Sequence, residues 1–536
     1  MKISFPAPVR GLVRSLSITT TLAAFVAFAP PAFAENIAFT RALAEASASD
    51  EAIAGFYRDR KFQSLWTSAA DEARRHALIT ALSQAAQQGL PAKRYNLEEL
   101  QHAANAAVTE GDRGRFELAM TKAFIAYASD LNAGALVPAD VDATIVREIT
   151  RPKAADLLSA FALASDPADY LRRLAPTAPQ YARLIKEKLR LEHQPPLRAT
   201  IPVSKLKPKD QGSAVIALRD RLIDLGYLPR SATAVFDAQI MRAVQRFQLD
   251  QGLTADGIAG TSTIEALNAS PADRLKSVIV ALERLRWMGQ TDLGARHIWV
   301  NQPTYVAKIV DNGRVTFETR VVIGKNDPET RSPEFSDQME YMVINPSWGV
   351  PRSIIVKEYL PMLQRNRNAV GQLDLVDGNG RVVPRGSVNF AAYTASSFPF
   401  GLRQPPSDGN ALGKVKFMFP NTYNIYLHDT PAKALFANEV RAFSHGCIRL
   451  GDPIDFAYAL LAKQSDDPKG LFQEHLDSKN ENSVSLDTPV PVHLVYYTAW
   501  PNAKGGMSYA RDVYGRDALL FDALIAAGVE VPQVQG

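Results

Sequence analysis

The residues with the clearest chemical potential lie in the segment 441–450, which reads Arg-Ala-Phe-Ser-His-Gly-Cys-Ile-Arg-Leu and holds the chain's single cysteine, Cys447. His445 lies two positions before this cysteine, Arg449 lies two positions after it, and His428 lies nineteen positions before it. Cationic neighbours lower the pKa of a thiol and favour the thiolate, which is the nucleophile. A thiolate beside an imidazole can attack a carbonyl carbon, and the imidazolium returns the proton to the leaving amine. The pattern therefore indicates acyl transfer.

Gly446 adds a second element to this pattern, because glycine permits a close backbone approach. The backbone N–H groups of Gly446 and Cys447 are expected to hold the oxyanion that develops during acyl transfer. A rival hypothesis makes His428, Asp429, His445 and Cys447 the ligands of a zinc amidase. Those residue types suit zinc, but none of the familiar paired-ligand spacings is present. The thiol could also be a small buried apolar group.

Strand-like periodicity surrounds these residues. It predicts strands over 298–301, 305–310, 316–323, 341–345, 416–419, 423–428 and 490–497. Alternation along the sixth of these places His428 at the end of a strand, on its polar face. Asp452 is expected to cap a helix that starts at Pro453. We predict a β-rich domain over residues 271–500, followed by a helical extension over 501–536.

The stretch from about 350 to 399 loses clear periodicity and contains several glycines and many charges. Irregular stretches of this length inside a domain are usually functional lids or disordered loops. Because this one precedes the cysteine segment, we predict a lid over the active site.

The N-terminal 34 residues have the pattern of a secretory signal peptide. Lys2, Arg10 and Arg14 form a basic region, residues 16–29 are apolar or small, and Ala32-Phe33-Ala34 is an A-x-A cleavage site. We therefore predict export, with the mature protein on the far side of the membrane. The mature chain would contact the membrane only if this segment stayed uncleaved.

Residues 35–195 show Ala-rich helical periodicity without a catalytic constellation, and we predict a helical scaffold domain there. A proline-punctuated linker follows. Residues 210–268 then contain three short helical segments with turn-rich connections. Their landmarks resemble the peptidoglycan-binding domain of cell-wall enzymes: Leu222, Leu225-Gly226-Tyr227, Phe236-Asp237, Ala243-Val244, Phe247-Gln248, Gly252-Leu253, Asp256-Gly257, Gly260 and Thr263.

Composition agrees with a soluble multidomain protein, and the helical and strand-like segments together predict a multidomain α+β class. The 536 residues are too many for one core, and 46% of them are apolar. Lys plus Arg number 60 against 56 for Asp plus Glu, so the net charge is only +4, without a dense basic run. Composition therefore gives no support for nucleic-acid binding.

The cysteine segment resembles a known signature. His428, followed by Ser444-His445-Gly446-Cys447-Ile448-Arg449, is similar to the signature of the L,D-transpeptidase catalytic domain. Segments 426–431, 441–443 and 345–351 resemble the large-scaffold branch of Gram-negative bacteria. That branch combines a helical scaffold, a peptidoglycan-binding domain and a β-rich catalytic domain, so the similarity extends from about residue 50 to the C-terminus.

The resemblance implies a cysteine-dependent acyltransferase of cell-wall biogenesis, which contributes to cell shape. Cys447 would attack the carbonyl of the third residue, a diamino acid, in a tetrapeptide stem and release the terminal D-alanine. A side-chain amine from a second stem would resolve the thioester into a 3→3 crosslink. His428 would be the general base, His445 would shape the loop and support the oxyanion region, and Ser444 would hydrogen-bond locally. The resemblance implies neither a cofactor nor a metal.

Two questions stay open from the sequence. Arg449 would bind a substrate carboxylate or form a salt bridge to Asp452 or Asp455. Water could replace the acceptor amine, which would make the protein an L,D-carboxypeptidase, and a catalytically inactive wall-binding adaptor is a further alternative.

Overall fold

The computed structural model describes residues 31–197, 199–289, 291–502 and 505–531, with side chains from residue 37 onward in the first helix. Most of the predicted signal segment, 1–34, therefore lies outside the described residues, and the first helix begins at Pro31. Within the described ranges, none of the helices combines the length and apolar character needed to cross a membrane.

A helical region forms the first part of the described chain, as its Ala-rich periodicity predicts. Its helices are α1 Pro31–Ser47, α2 Glu51–Asp59, α3 Glu72–Ser83, α4 Leu97–Ala106, α5 Glu110–Ala133, α6 Pro138–Val141, α7 Ala154–Ala162, α8 Pro167–Arg173 and α9 Pro179–Glu192. Their apolar faces enclose the buried rings of Trp66, Phe124 and Phe161, and the Trp66 and Phe161 centroids lie 5.3 Å apart. Trp66 thus belongs to the core of this region.

A small three-helix unit follows the proline-rich linker. Its helices are α10 Ser213–Asp224, α11 Ala238–Asp250 and α12 Thr261–Asn268. The buried amide of Gln248 organises the turn between the last two helices. It donates to the Ile258 carbonyl at 2.8 Å and accepts from the Gly257 N–H at 2.9 Å.

Helix α13, Pro271–Met288, connects this unit to the β-rich domain. A capping box begins this helix: the Ser270 hydroxyl accepts from the Asp273 N–H at 3.1 Å, and the Asp273 carboxylate accepts from the Ser270 N–H at 3.1 Å. The helix shares one hydrophobic core with α9 and with the C-terminal helix, through Leu184, Leu282 and Leu520. The helical region and the β-rich domain therefore pack as one body around α13.

The β-rich domain contains the strands that the periodicity predicts at its start, and others. The strands are β1 Arg296–Asn301, β2 Val306–Asp311, β3 Arg314–Gly324, β4 Phe335–Ile344, β5 Trp348–Gly349, β6 Asp374–Val376, β7 Gly401–Gln404, β8 Val415–Met418, β9 Leu427–His428, β10 Ala442–Ser444, β11 Ile448–Leu450, β12 Asn482–Val495, β13 Ala499–Pro501 and β14 Met507–Tyr509. The remaining helices are α14 Arg352–Ile354, α15 Leu360–Arg365, α16 Pro453–Leu461, α17 Pro468–Asp477 and α18 Arg516–Ala526.

The main sheet closes on itself. Its order is β3-β11-β9-β8-β4-β12-β1-β2, and β2 pairs again with β3, while β10 joins the end of β3. β3 serves both sides because its first half pairs with β2 and its last residues pair with β11 and β10. Closure leaves one side of each strand for the apolar interior, where Phe417, Leu427 and Ile448 are buried.

The insertion between β5 and β8 corrects the prediction of an irregular stretch over 350–399. Strands β5, β7 and β6 form a small antiparallel sheet, and residues 355–359 add a π-helical turn before α15. Leu360, Leu375 and Phe398 belong to its own buried core. This segment is a folded subdomain, because its scattered apolar residues converge on one core from short elements that periodicity cannot detect.

Two local predictions near the cysteine segment are also wrong. The strand expected over 423–428 is reduced to β9, because Asn421 makes a turn that accepts from the Tyr423 and Ile425 N–H groups at 3.1 Å. Asp452 precedes α16 but makes no side-chain cap, since its carboxylate accepts from the Thr319 hydroxyl at 2.8 Å.

Candidate active site

The cysteine lies on a tight connection between β10 and β11. Gly446 has φ +113°, and a Cβ at this position would lie 3.1 Å from the Ile425 side chain. Only glycine adopts this backbone conformation without strain, so the turn depends on it. β10 runs parallel to the end of β3, and β11 runs parallel to β9, which places Cys447 next to the strand that ends at His428.

Two buried serines hold this turn. Ser444 Oγ donates to the Cys447 carbonyl at 2.6 Å and accepts from the Gly446 N–H at 3.2 Å. Ser332 Oγ donates to the Gly446 carbonyl at 2.6 Å and accepts from the Gly324 N–H at 2.9 Å. The contacts of Ser444 are those of a local hydrogen-bonding residue.

These contacts bear on the predicted oxyanion donors. The Gly446 N–H is directed at Ser444, which removes it from the expected pair of donors. The Cys447 N–H, by contrast, makes no hydrogen bond to any described residue. One free backbone donor is therefore present beside the thiol.

Strand register decides which side chains share the face of the nucleophile. His428 is paired with Arg449 across β9 and β11, and with Lys416 across β9 and β8. Paired residues on neighbouring strands project to the same side of a sheet. The three side chains therefore lie in a row on one face of the sheet. Leu427 projects from the other face into the apolar interior.

Cys447 is half-buried, and its Sγ lies 3.6 Å from the Asn424 carbonyl oxygen. Burial raises the pKa of this thiol to about 11, against the opposing effects of hydrogen bonds from Tyr426 and the charge of Arg449. This corrects the expectation that cationic neighbours lower the thiol pKa. Desolvation of the thiolate outweighs the attraction of one guanidinium, so Cys447 is a neutral thiol at neutral pH.

His428 is buried, and its Nδ1 hydrogen-bonds to the Asp429 carbonyl. A carbonyl oxygen can only accept, so Nδ1 carries the proton and Nε2 keeps a free lone pair. Burial and the charge of Arg449 lower the pKa of His428 to about 3. The imidazole is therefore neutral at physiological pH and able to accept a proton at Nε2.

Among the described residues, no hydrogen bond joins the Cys447 thiol to His428. The thiol is directed at Asn424 instead, so it must rotate before the proton is transferred. Catalytic hydrogen bonds are often long or misaligned without substrate and tighten when substrate binds.

Arg449 has neither of the two salt bridges considered from the sequence. Within the described part of the chain it makes no ion pair, and Asp452 is engaged by Thr319. Burial lowers the pKa of Arg449, which shows that its charge is only partly compensated.

His445 contacts the insertion. Its Nε2 lies 2.7 Å from Glu358 Oε1, on the π-helical turn. A second contact, between Lys357 on the same turn and Glu329, lies at the exposed edge. The insertion subdomain therefore touches the cysteine turn directly.

Two contributing residues, Ser332 and Glu358, were not singled out from the sequence, and Lys416 was placed in a predicted strand without a functional role. Ser332 and Glu358 lie over 80 positions before the cysteine segment, so their contacts depend on the fold alone. Lys416 had a detectable signal, because strand alternation places it opposite His428 once β8 and β9 are paired. Within the described ranges, His, Cys, Asp and Glu side chains do not gather in threes as metal ligands.

Comparison with known protein families gives three matches along the chain. Residues 295–492 match the L,D-transpeptidase catalytic domain, residues 211–267 match a peptidoglycan-binding domain, and residues 51–187 match a scaffold domain. The chain contains an L,D-transpeptidase catalytic domain. Its predicted affiliation and its multidomain α+β class are thereby confirmed.

A curated relative of the L,D-transpeptidase domain comes from Haemophilus influenzae and is provisionally named an L,D-transpeptidase. It is 32% identical over 222 residues, which are 41% of this chain and 44% of the relative. The match thus spans less than half of either protein.

Two solved structures of L,D-transpeptidases show weak overall similarity. The protein from Stackebrandtia nassauensis is 16% identical, with a TM-score of 0.22, over 55% of this chain and 97% of the other. The fragment from Xylanimonas cellulosilytica is 14% identical, with a TM-score of 0.17, over 55% of this chain and 98% of the other. Scores this low do not establish a common overall structure.

Proposed function

We propose that this protein is a peptidoglycan L,D-transpeptidase that forms 3→3 crosslinks between stem peptides through a thioester on Cys447. The observation that carries the proposal is the position of Cys447 immediately before β11, next to the strand that ends at His428, with a neutral thiol and a neutral imidazole. The catalytic-domain match supplies the reaction class, and the peptidoglycan-binding domain supports the polymer as substrate.

The first half-reaction forms the thioester. Nε2 of His428 accepts the thiol proton as Sγ of Cys447 attacks the carbonyl carbon of the third stem residue. The tetrahedral oxyanion accepts a hydrogen bond from the Cys447 N–H. The C–N bond then breaks, and the imidazolium returns its proton to the leaving amine of the terminal D-alanine.

The second half-reaction repeats these steps with another amine. The side-chain amine of a second stem attacks the thioester carbonyl and gives its proton to His428. The C–S bond breaks, and the sulfur recovers the proton from the imidazolium. Because every proton returns, the cycle regenerates the neutral pair.

Other residues would bind the substrate or shape the site and would take no part in making or breaking covalent bonds. Arg449 binds a substrate carboxylate, and its lack of an acidic partner among the described residues supports this role. His445 and Ser444 keep the turn in shape, and the insertion over 350–399 covers the site as a lid, which its contact through Glu358 supports.

The cellular location follows from the substrate. Peptidoglycan lies outside the cytoplasm, and both matched domains act on it. We place the protein in the periplasm, where it contributes to wall biogenesis and cell shape.

The decisive experiment incubates the purified mature protein with a disaccharide-tetrapeptide and analyses the products by mass spectrometry. We expect a crosslinked dimer and a covalent adduct on the intact protein. Cys447→Ala should lower the rate by about a thousandfold or more, with unchanged thermal unfolding. A tripeptide product without dimer would assign the same site to an L,D-carboxypeptidase, and the absence of any adduct would overturn the proposal.

A further inference from the structure

Lys416 occupies an unusual position next to the proposed base. It is half-buried on β8, directly opposite His428, which is in turn opposite Arg449. Neither cation forms an ion pair or a side-chain hydrogen bond with any described residue. Neighbouring strands lie about 4.8 Å apart, so the two cations flank the imidazole from its two sides.

The acidic side chains near this row are engaged elsewhere. Glu481 is the acid whose charge acts on Lys416, but its carboxylate accepts from the Ser347 N–H at 3.0 Å and from the Ser347 hydroxyl at 2.7 Å. Asp429 binds the Lys433 ammonium at 2.7 Å and accepts from the Lys414 N–H at 2.8 Å. Two partly desolvated cations therefore flank the proposed base without an acidic partner among the described residues.

Uncompensated charge of this kind is costly unless a ligand supplies the opposite charge. Burial lowers the pKa of both Lys416 and Arg449, which indicates the same cost. The anionic group of the substrate must contact both cations while the substrate's carbonyl carbon lies next to the Cys447 thiol. A carboxylate has two acceptor oxygens, one for each cation.

We infer that Lys416 and Arg449 together form a subsite for a substrate carboxylate, and that Lys416 is a specificity-determining residue of the site. The inference rests on the proposed function. A donor cleaved at its last peptide bond carries a free carboxylate on the leaving residue, one residue from the attacked carbonyl. The subsite would therefore select donor stem peptides whose C-terminal residue is the residue that the reaction releases.

The test compares two tetrapeptide donors, one with a free terminal carboxylate and one with a terminal carboxamide. Wild-type protein, Lys416→Met and Arg449→Met are assayed on both donors for kcat/KM. Lys414→Met is the matched control, because Lys414 is an exposed lysine immediately before the same strand. Lys416→Arg keeps the charge and tests for rescue, and thermal unfolding checks that each variant is folded.

We expect Lys416→Met to lower kcat/KM on the free-acid donor by roughly tenfold or more, the loss that a charged hydrogen bond gives, and to leave the carboxamide donor nearly unchanged. Lys416→Arg should restore most of the preference, and Lys414→Met should behave as wild type. An equal loss on both donors, or no loss on either, would overturn the inference.

A third donor identifies which carboxylate is bound. In it the terminal carboxylate is free and every other carboxylate of the stem is amidated. If Lys416→Met still discriminates against the terminal carboxamide with this donor, the terminal carboxylate is the ligand. Sensitivity that appears only with the internal carboxylates would show that the subsite recognises the stem interior and would overturn the assignment to the leaving residue. Failure of the proposed function is separate, because wild type would then form no thioester with any donor.

Discussion

Two groups of partly or fully buried cations among the described residues differ in what they face. At the junction of α13 and α18, Arg284 and Arg516 are buried together with Glu334 and Asp517. Arg284 pairs with Glu334 and lies 3.2 Å from Asp517, while Arg516 lies 3.3 Å from Glu334. Beside the nucleophile, Arg449 and Lys416 face a neutral imidazole and have no such partners within the described residues.

The difference shows what each group does. The first group joins segments that are distant in sequence, and Glu334 also pairs through its backbone with the helical region near Ile145. Its charges are compensated internally, so its role is structural. The second group has no acidic partner among the described residues and lowers the pKa of His428, which agrees with the proposed carboxylate subsite.

The largest expected effect comes from breaking the compensated group. Arg284→Met removes one partner of a buried network and should destabilise the protein by about 3–5 kcal/mol, because Glu334 and Asp517 lose a cation. Arg449→Met should leave stability unchanged or raise it, because no acid loses its partner and an uncompensated cation is removed. Denaturant unfolding measures both, and equal losses would contradict the comparison.

The next effect concerns the thiol. With a pKa of about 11, Cys447 should react with iodoacetamide about tenfold faster for each unit of pH from 7 to 10, because the thiolate fraction rises in that proportion. Arg449→Met should slow alkylation at every pH in this range, since Arg449 lowers the thiol pKa. A rate that levels off below pH 9 would show a thiolate stabilised by its cationic neighbours.

A smaller shift is expected at the base. Below its folded-state pKa of about 3 the His428 imidazole is protonated and cannot accept a proton, so acid inactivation through this residue begins only near that pH. Arg449→Met removes a charge that lowers this pKa and should move it upward. NMR titration of His428 in the Cys447→Ala background measures the change. An unchanged pKa would show that the charge of Arg449 does not act on His428.

The smallest effect concerns the insertion. Glu358→Gln weakens a half-exposed contact to His445 and should raise KM for the donor only a few-fold, with kcat and thermal unfolding unchanged. Glu329→Gln is the matched control, because Glu329 pairs with the adjacent Lys357 and does not touch the cysteine turn. Equal KM values in the two variants would argue against a role for this contact in covering the site.

The sequence by itself predicted the cysteine turn, the proposed base His428 and the order of the domains. Residue types and short spacings were sufficient there, because Ser444, Gly446 and Cys447 act within one turn and a strand end orients His428 by alternation. The family matches bear out the affiliation and the multidomain class.

The tertiary structure alone decided the electrostatics. Arg449 is close to Cys447 in sequence, but burial raises the thiol pKa beyond what one guanidinium can offset, and burial is not a local property of the chain. The pairing of β8 with β9 brings Lys416 beside His428, and the core of the insertion brings Glu358 to His445. The sequence determined which groups can react. Solvent exclusion determined the protonation states of Cys447 and His428, and strand register placed Lys416 and Arg449 beside His428 without an acidic partner among the described residues.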